Sequence, residues 1–240
     1  PKKFLETAKT ALKPRRPGGK LPVVVAARFA VFIALLQQMQ FFHPLDNGWT
    51  DSLFRHRGIE SADPRVIVVE IDDASLKKIG SFPFPRGVYA RLIDRLVEFG
   101  VKVVALDVLF IDPSTPEQDA LLVDATRRHE DFVVHSAMLD PDVNFENRMI
   151  MPFPALEKAA SHIGIVNQAL IDSDGSVRQA SLVIGRKHRR DLGIYEWAGD
   201  PLALPSLGLK ALSVFEGKPV KEYLERVGIS LWLNFRGEEF

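Results

Sequence analysis

The sequence predicts an α/β fold, a layered sheet that is mostly parallel or mixed, preceded by one transmembrane helix. Two observations predict it: a basic N-terminal stretch runs into a 22-residue apolar segment, and from residue 64 onward apolar runs of strand length alternate with segments of helical period. The chain has 240 residues, of which 46 % are hydrophobic and 26 % charged, enough for a buried core of ordinary size. Wholesale disorder is therefore excluded. The absence of cysteine excludes disulfide frameworks, thiolate zinc sites and cysteine nucleophiles.

The charges divide the chain into a basic head and an acidic body. Residues 1–20 carry seven Lys or Arg and one acid, whereas the remaining residues carry 24 bases and 30 acids. This asymmetry is typical of a chain whose two parts lie on opposite sides of a membrane. We therefore expect residues 1–20 to be cytoplasmic and residues 43–240 to form an extracytoplasmic domain.

Residues 21–42 are the predicted transmembrane helix. Of these 22 residues 17 are apolar, and at about 1.5 Å per residue a helix of this length crosses a ~30 Å hydrocarbon core. Arg28 would cost about 3 kcal/mol at the centre of the span, but it lies near the basic end and can snorkel. A cleaved signal peptide is one alternative, although no small-residue cleavage site follows. A buried globular helix is the other, although the polar positions scatter around the helix instead of forming one face.

The first elements of the body form a strand–helix–strand unit. Residues 65–71 (RVIVVEI) are continuously apolar enough for a strand covered on both faces. Residues 86–99 predict a helix that ends at Gly100, and residues 101–110 predict the next strand. The predicted buried stripe of the helix consists of Val88, Leu92, Leu96 and Phe99.

The later elements continue the alternation. Thr115 and Gln118 have the spacing of a capping box, with Pro116 at the first helical position, and predict a helix to about His129. The further predictions are strands at 132–137, 162–168, 176–186 and 229–235, helices at 154–160 and 205–215, and a turn at 172–175. Right-handed crossovers between parallel strands give the layered sheet.

Few residues carry a recognisable chemistry. The dinucleotide, P-loop, zincin and hydrolase-elbow motifs are absent from the sequence. The six histidines include no pair at i and i+4, so a histidine metal site would have to be assembled by folding alone. The basic run at 186–190 lacks interleaved aromatic residues and lies in an acidic body, which favours a solvated loop over a nucleic-acid or lipid contact.

Carboxylates follow the first two predicted strands of the body. Asp72 and Asp73 come after the strand at 65–71, and Asp107 lies within the next strand. Parallel strands could bring these carboxylates together at the sheet end where α/β folds bind ligands, and Arg86 completes the candidate ligand-binding group. The alternative is structural: Asp73 caps a helix beginning at Ala74, and Asp72 hydrogen-bonds within a turn.

For two further motifs we favour a structural role over ligand binding. The segment 172–175 (DSDG) resembles part of a calcium loop but lacks its full spacing and its final Glu, so a hairpin turn is the better interpretation. The segment 82–86 (FPFPR) could line a groove, but packing of a strand–helix connection is the simpler role.

Taken together, these motifs resemble a CHASE domain of the second type. The resemblance is carried by Asp51-Ser52-Leu53-Phe54-Arg55-His56-Arg57-Gly58 after the predicted span, by 63–76 (DPRVIVVEIDDASL), by 82–86, by 105–110 (ALDVLF), by 164–167 with 172–178, and by Pro205-Ser206-Leu207. It covers about residues 44–240.

The resemblance implies an extracytoplasmic sensor of a bacterial membrane receptor whose cytoplasmic output is a nucleotide cyclase, a histidine kinase or another signalling enzyme. It also implies that the sensor continues past residue 240 before returning through the membrane, so we expect the chain to be part of a longer protein. An adenylate cyclase output is favoured over a guanylate cyclase, and a kinase comes second. No catalytic residue, metal or cofactor is expected within this segment; Mg²⁺ and ATP belong to the expected cyclase domain.

The expected partners follow from this interpretation. They are the lipid bilayer, an unidentified extracytoplasmic cue and a second copy of the receptor, because a cyclase domain needs two subunits; nucleic acid is not expected. Two interpretations of other classes stay open. One is an extracytoplasmic metal-dependent hydrolase using Asp72, Asp73 and Asp107, and the other is a structural module that holds membrane partners together.

Overall fold

The computed structural model describes residues 20–38, 43–61, 63–141, 147–166, 169–172, 174–184, 188–189, 194–195, 203–228 and 230–233. The chain divides into two compact units. The N-terminal unit comprises Pro1–Val66 with Phe235–Phe240, and the main unit comprises Ile67–Asn234.

The described residues of the N-terminal unit form helices α1 (Lys20–Gln38) and α2 (His43–Arg57). The predicted span at 21–42 begins in α1 and extends through residues 39–42, which lie outside the described residues. Within the part of the chain that the structure describes, no helix combines the length and apolar character that a membrane crossing requires. Helix α2 was not predicted; Asp46 lies in its first turn and Arg55, His56 and Arg57 in its last, as the helix dipole favours.

The main unit contains the remaining elements. Its described helices are α3 (Asp73–Ile79), α4 (Arg86–Glu98), α5 (Pro116–Arg128), α6 (Pro154–Ala159), α7 (Leu207–Glu216) and α8 (Val220–Val227). Its described strands are β1 (Val104–Ala105), β2 (Val133–Pro141), β3 (Asn147–Ile150), β4 (His162–Ile165), β5 (Ala169–Ile171), β6 (Val177–Ser181), β7 (Val183–Ile184), β8 (His188–Arg189), β9 (Ile194–Tyr195), β10 (Leu204–Pro205) and β11 (Ser230–Trp232).

A parallel sheet lies at the centre of the main unit. Strand β2 pairs in parallel with β1 on one side and with β4 on the other, and its end pairs antiparallel with β3. Helix α5 connects β1 to β2, and α6 precedes β4. The prediction of a mixed α/β fold with a parallel sheet is therefore confirmed.

The other described strands form smaller antiparallel sheets. Strand β6 lies between β5 and β11, while β10 pairs with β7 and β8 pairs with β9. The predicted strand at 176–186 is interrupted at Leu182, and residues 185–187 lie outside the described residues. Of the predicted last strand at 229–235, the structure describes Ser230–Trp232 as a strand.

Helix starts follow the local signals that predicted them. Thr115 caps α5 by accepting a hydrogen bond from the Gln118 amide at 3.4 Å, with Pro116 in the first turn. The Gln118 side chain does not complete the capping box; its Oε1 instead accepts from the Gly87 amide at 2.9 Å, which ties α5 to the start of α4. Ser206 caps α7 by accepting from the Leu209 amide.

Three predictions about the first half of the main unit are wrong or hold only in part. Residues 65–71 form no strand, and their apolar side chains are 41–79 % exposed. The strand predicted at 101–110 is limited to Val104–Ala105, although Leu106 still donates a hydrogen bond to the Val134 carbonyl. Helix α4 fully buries Gly87, Tyr89, Ala90 and Ile93; of the predicted stripe, Val88 and Leu96 are half-buried against the same core, Leu92 is half-buried, and Phe99 is 79 % exposed. The close contact of Gly87 with α5 shifts the buried face relative to the predicted stripe.

The main hydrophobic core lies between the parallel sheet and helices α4, α5 and α6. Its buried side chains include Phe84, Tyr89, Ile93, Val104, Leu106, Phe110, Leu122, Val133, Phe153 and Leu156. Within the segment 82–86, Phe84 packs in this core, whereas Phe82 is 56 % exposed. Smaller clusters contain Leu182, Val183, Leu209 and Leu224, and Leu139 with Ile165.

Strand β4 and the start of α7 approach each other closely. A Cβ atom placed on Gly164 would lie 2.6 Å from the Leu207 Cα, a distance that real side chains do not adopt. Ile165 forms an isolated parallel bridge with Ser206 beside this contact. Glycine is therefore required at residue 164 for close packing and not for an unusual backbone angle.

Candidate functional site

The predicted ligand-binding residues lie around the carboxyl end of β1 and the starts of helices α3 and α4. Asp107 follows β1 by two residues and is exposed. Beyond it the chain leaves the sheet, and Phe110 is fully buried, its carbonyl accepting a hydrogen bond from the Phe153 amide at 2.8 Å. The Phe110 ring is the surface against which the Arg86 guanidinium packs.

Arg86, the first residue of α4, contacts three groups of its own chain. Its guanidinium lies over the Phe110 ring, 4.5 Å from Cζ to the ring centroid, and its Nη2 donates to the Asp112 carbonyl oxygen at 3.0 Å. Its Nε lies 3.8 Å from Asp119 Oδ1, and both side chains are only 14 % exposed. Arg86 is therefore held among groups that follow β1 and begin α5.

The Arg86–Asp119 pair is incompletely bonded. Asp119 Oδ2 accepts a hydrogen bond from the Ser114 amide at 2.9 Å. By contrast, Arg86 Nε and Asp119 Oδ1 are both buried and have no hydrogen-bond partner within the described part of the chain. Buried polar atoms without a partner are costly, so a small rearrangement that shortens this ion pair would be favourable.

Aromatic and imidazole rings continue inward from Arg86. Tyr89 is buried with its ring centroid 5.0 Å from that of Phe110, and burial raises the pKa of its phenol. His135 of β2 lies on the same Phe110 ring at 6.1 Å, and its Nε2 is 2.9 Å from Thr126 Oγ1. Burial of His135 lowers its pKa to about 4, so this imidazole is neutral at pH 7.

A pocket of about 530 Å³ opens on the other side of Asp119. It lies between the first turns of α5 and the start of α6, and its walls are Pro113, Pro116, Asp119, Ala120, Val123, Asp124, Arg127, Phe153, Pro154 and Ala155. The pocket is wide open to solvent, and its wall is mostly apolar with Asp119, Asp124 and Arg127 as the charged groups. The sequence analysis did not predict this pocket.

The structure places Asp72 and Asp73 in structural positions. Asp72, and not Asp73 as in the structural alternative, caps α3: its Oδ1 accepts from the Ser75 amide at 2.8 Å and from the Ser75 hydroxyl at 2.7 Å. These bonds hold the pKa of the exposed Asp72 carboxyl below its ordinary value. Asp73 is exposed in the first turn of α3.

Within the described part of the chain, no hydrogen bond or ion pair joins any two of the four predicted residues. Arg86 pairs instead with Asp119 and Asp112, neither of which was predicted. Across the described ranges no group of three or more His, Cys, Asp or Glu is arranged to hold a metal ion.

The turn at the end of β5 binds a second arginine. Arg178 of β6 donates to Asp172 Oδ2 at 2.7 Å and to both oxygens of Asp174, at 3.0 and 2.9 Å, and its side chain is 6 % exposed. Arg178 holds the pKa of the Asp174 carboxyl far below its usual range. The segment therefore forms the predicted hairpin turn between β5 and β6. The carboxylates of Asp172 and Asp174 accept hydrogen bonds from Arg178.

Comparison with known proteins identifies one family. The model of the CHASE2 domain matches residues 26–240, which is most of the chain. No curated protein and no solved structure matches the chain.

Proposed function

The chain belongs to the CHASE2 domain family, the extracellular sensory domains of signalling proteins, and we propose that it is the sensor of a membrane-anchored bacterial receptor. The family match over residues 26–240 is the single observation that carries the proposal. The lack of recognisable catalytic motifs in the sequence agrees with a role in reception rather than catalysis.

We propose further that residues 21–42 anchor the sensor in the inner membrane, with residues 1–20 in the cytoplasm. Two features support this placement. Seven Lys or Arg precede the apolar segment, and the apolar side chains of α1, such as Val25, Phe29 and Leu35, are more than half exposed. Positive charge on the cytoplasmic side orients a span in the proposed direction.

The proposed output is a cytoplasmic adenylate cyclase, with a histidine kinase as the second candidate. Both candidates are proposed because this type of sensor commonly occurs with such output domains, and not because of any residue of this chain. A cyclase domain needs two subunits, so the proposed receptor is a homodimer, and Mg²⁺ and ATP would be required in that domain. For a signal to pass, the cue must bind one arrangement of the sensor better than the other, because equal affinity shifts no population.

The proposed place for the cue is the carboxyl end of the parallel sheet. Asp72, Asp73, Arg86 and Asp107 stay the predicted contacts there, and the incompletely bonded Arg86–Asp119 pair and the adjacent pocket support this location. A ligand in the pocket would touch Asp119 directly and Arg86 through it. Occupancy of the pocket could thereby alter the ion pair at the start of α4.

The full-length receptor in membrane vesicles tests the sensor proposal. Deletion of residues 67–234, the main unit, should change the basal activity of the attached cyclase severalfold, because the sensor biases the output equilibrium. Unchanged basal activity would contradict a sensor role. A reporter enzyme fused after Arg57 separately tests the orientation, and reporter activity in the cytosol would contradict the anchoring proposal.

A further inference from the structure

Residues 67–71 form an exposed apolar segment at the start of the main unit. Ile67, Val68, Val69 and Ile71 are 79, 76, 59 and 41 % exposed, and residues 66–72 adopt neither helix nor strand. A run of β-branched apolar residues is typical of a strand buried in a parallel sheet. Such a run exposed to water lacks both a strand with which to pair and an apolar surface on which to pack.

Among the described residues, no strand pairs with the outer edge of β1, which could accept such a partner. The amides of Val104 and Leu106 donate to the carbonyls of Phe132 and Val134, on the β2 side. In a parallel ladder the alternate residues direct their backbone groups to the opposite side, so Val103, Ala105 and Asp107 face away from β2. None of the described hydrogen bonds involves these three amides, and β1 is the outermost strand of the parallel sheet.

The connection between the segment and β1 suits parallel pairing. The 32 residues at 72–103 contain α3 and α4, and parallel strands need a crossover of a dozen residues or more. Leu76 of α3 and Phe84 pack in the same hydrophobic core as Val104, so the connection is anchored beside β1 at both ends. The chain from β1 through α5 to β2 already has this strand–helix–strand form.

We propose that the outer edge of β1 accepts residues 67–71 of the same chain as a fourth parallel strand. The tether favours the chain's own segment over that of a second copy, because a linked partner has a high effective concentration. Docking would cover the apolar segment and close the sheet edge in one step. It would also place Asp72 and Asp73 at the same sheet end as Asp107, where the sequence pattern places them.

The alternation of side chains fixes the face that each residue takes. Val104 and Leu106 of β1 are buried in the core, whereas Ala105 is exposed on the opposite face. Glu70 is the charged residue of the segment, so it takes the exposed face together with Val68. Ile67, Val69 and Ile71 then take the core face, and Val68 lies on the same face as Ala105.

Disulfide trapping in the full-length chain, held in detergent micelles, tests the docking. Because the protein has no cysteine, the double variant Val68→Cys with Ala105→Cys introduces only the reporting pair, and same-face positions on adjacent strands suit disulfide geometry. We expect a cross-link within one chain, formed at least tenfold faster than in the matched control Val69→Cys with Ala105→Cys. Val68→Cys combined with Val103→Cys or Asp107→Cys covers the two neighbouring registers.

Three results would overturn the proposal: no intramolecular cross-link in any of the three registers, an equal rate in the control, or a cross-link only between chains. A mixture of the two single variants identifies this last case as pairing with a second copy. Hydrogen exchange on the unmodified protein does not depend on how the variants fold. We expect slowed exchange for the amides of residues 67–71 together with those of Val103, Ala105 and Asp107, and exchange of both groups at the rate of an open chain would contradict docking.

Discussion

Two arginines in different regions of the main unit show how differently an ion pair can be completed. In the hairpin of β5 and β6, Arg178 is bonded to two carboxylates at 2.7 to 3.0 Å. Beside the parallel sheet, Arg86 lies 3.8 Å from Asp119, and each side chain keeps a buried polar atom without a described partner. The hairpin is a finished structural element, whereas the sheet region retains an interaction that a ligand could complete.

The origin of each pair in the sequence differs as well. Asp172 and Asp174 are six and four residues from Arg178, so one local turn brings all three together. Asp112 and Asp119 reach Arg86 only after β1 and α5 have packed against α4. The first arrangement depends on local chain geometry, and the second depends on the tertiary fold.

The largest expected difference between the two regions is the pH at which each loses stability in acid. His135 contacts the Phe110 ring under Arg86, and its folded-state pKa of about 4 lies below the unfolded value of 6.5. The unfolded chain therefore binds the additional proton, and the free energy of unfolding should fall as the pH falls from about 6.5 to 4, by about 3 kcal/mol in total. The pKa of the Asp174 carboxyl is lowered in the folded state, so its protonation weakens the hairpin only as the pH falls below the ordinary value of 3.8.

Urea unfolding at a series of pH values measures this effect. His135→Gln keeps an amide near Thr126 but does not titrate, so the difference between the variant and the parent isolates the imidazole. An equal slope in both proteins between pH 6.5 and 4 would show that His135 does not control the acid response.

Removing each arginine compares the pairs directly. Arg178→Met should lower the free energy of unfolding by about 2 kcal/mol, because it removes the hydrogen bonds that the buried Arg178 guanidinium donates to the partly exposed carboxylates of Asp172 and Asp174. Arg86→Met should cost about 1 kcal/mol, because it removes one hydrogen bond and a ring contact while Asp119 keeps its bond from the Ser114 amide. Denaturant midpoints at pH 7 measure both, and an equal or larger loss for Arg86→Met would mean that its ion pair is already complete.

The smallest expected effect is the difference in melting temperature between variants of two adjacent aspartates. Asp72→Ala removes the cap of α3 and should lower the melting temperature, by less than Arg86→Met does, because the site is exposed. Asp73→Ala is the matched control, since Asp73 has no described capping bond, and it should leave the melting temperature nearly unchanged. Equal shifts for the two variants would mean that the cap contributes nothing beyond the charge at the start of the helix.

The sequence predicted the elements whose signals are local. The cap Thr115 with Pro116 gave the start of α5, Pro154 gave that of α6, and the turn at 172–175 was recognised from its composition. The buried face of α4 was predicted only in part: Val88 and Leu96 pack against the core, but the fully buried residues include Gly87, whose close contact with α5 carries no pattern in the sequence. Residues 65–71 have the composition of a strand but are unpaired in the described structure, since a strand requires a partner as well as a suitable composition.

The candidate site was less predictable than the fold. Arg86 was identified, but its actual contacts, Phe110, Asp112 and Asp119, come from segments that are distant in the sequence. Asp72 was included for its charge, and the structure uses it for a cap. The pocket beside Asp119 is formed by residues of two helix starts that are distant in the sequence, so no local pattern indicated it.

The contact of Gly164 with Leu207 leaves strand β4 and helix α7 no room to slide past each other. Two elements that touch backbone to backbone must shift together, since no flexible side chain lies between them to absorb a displacement. Helix α7 therefore cannot move along β4 without carrying the strand and the sheet next to it.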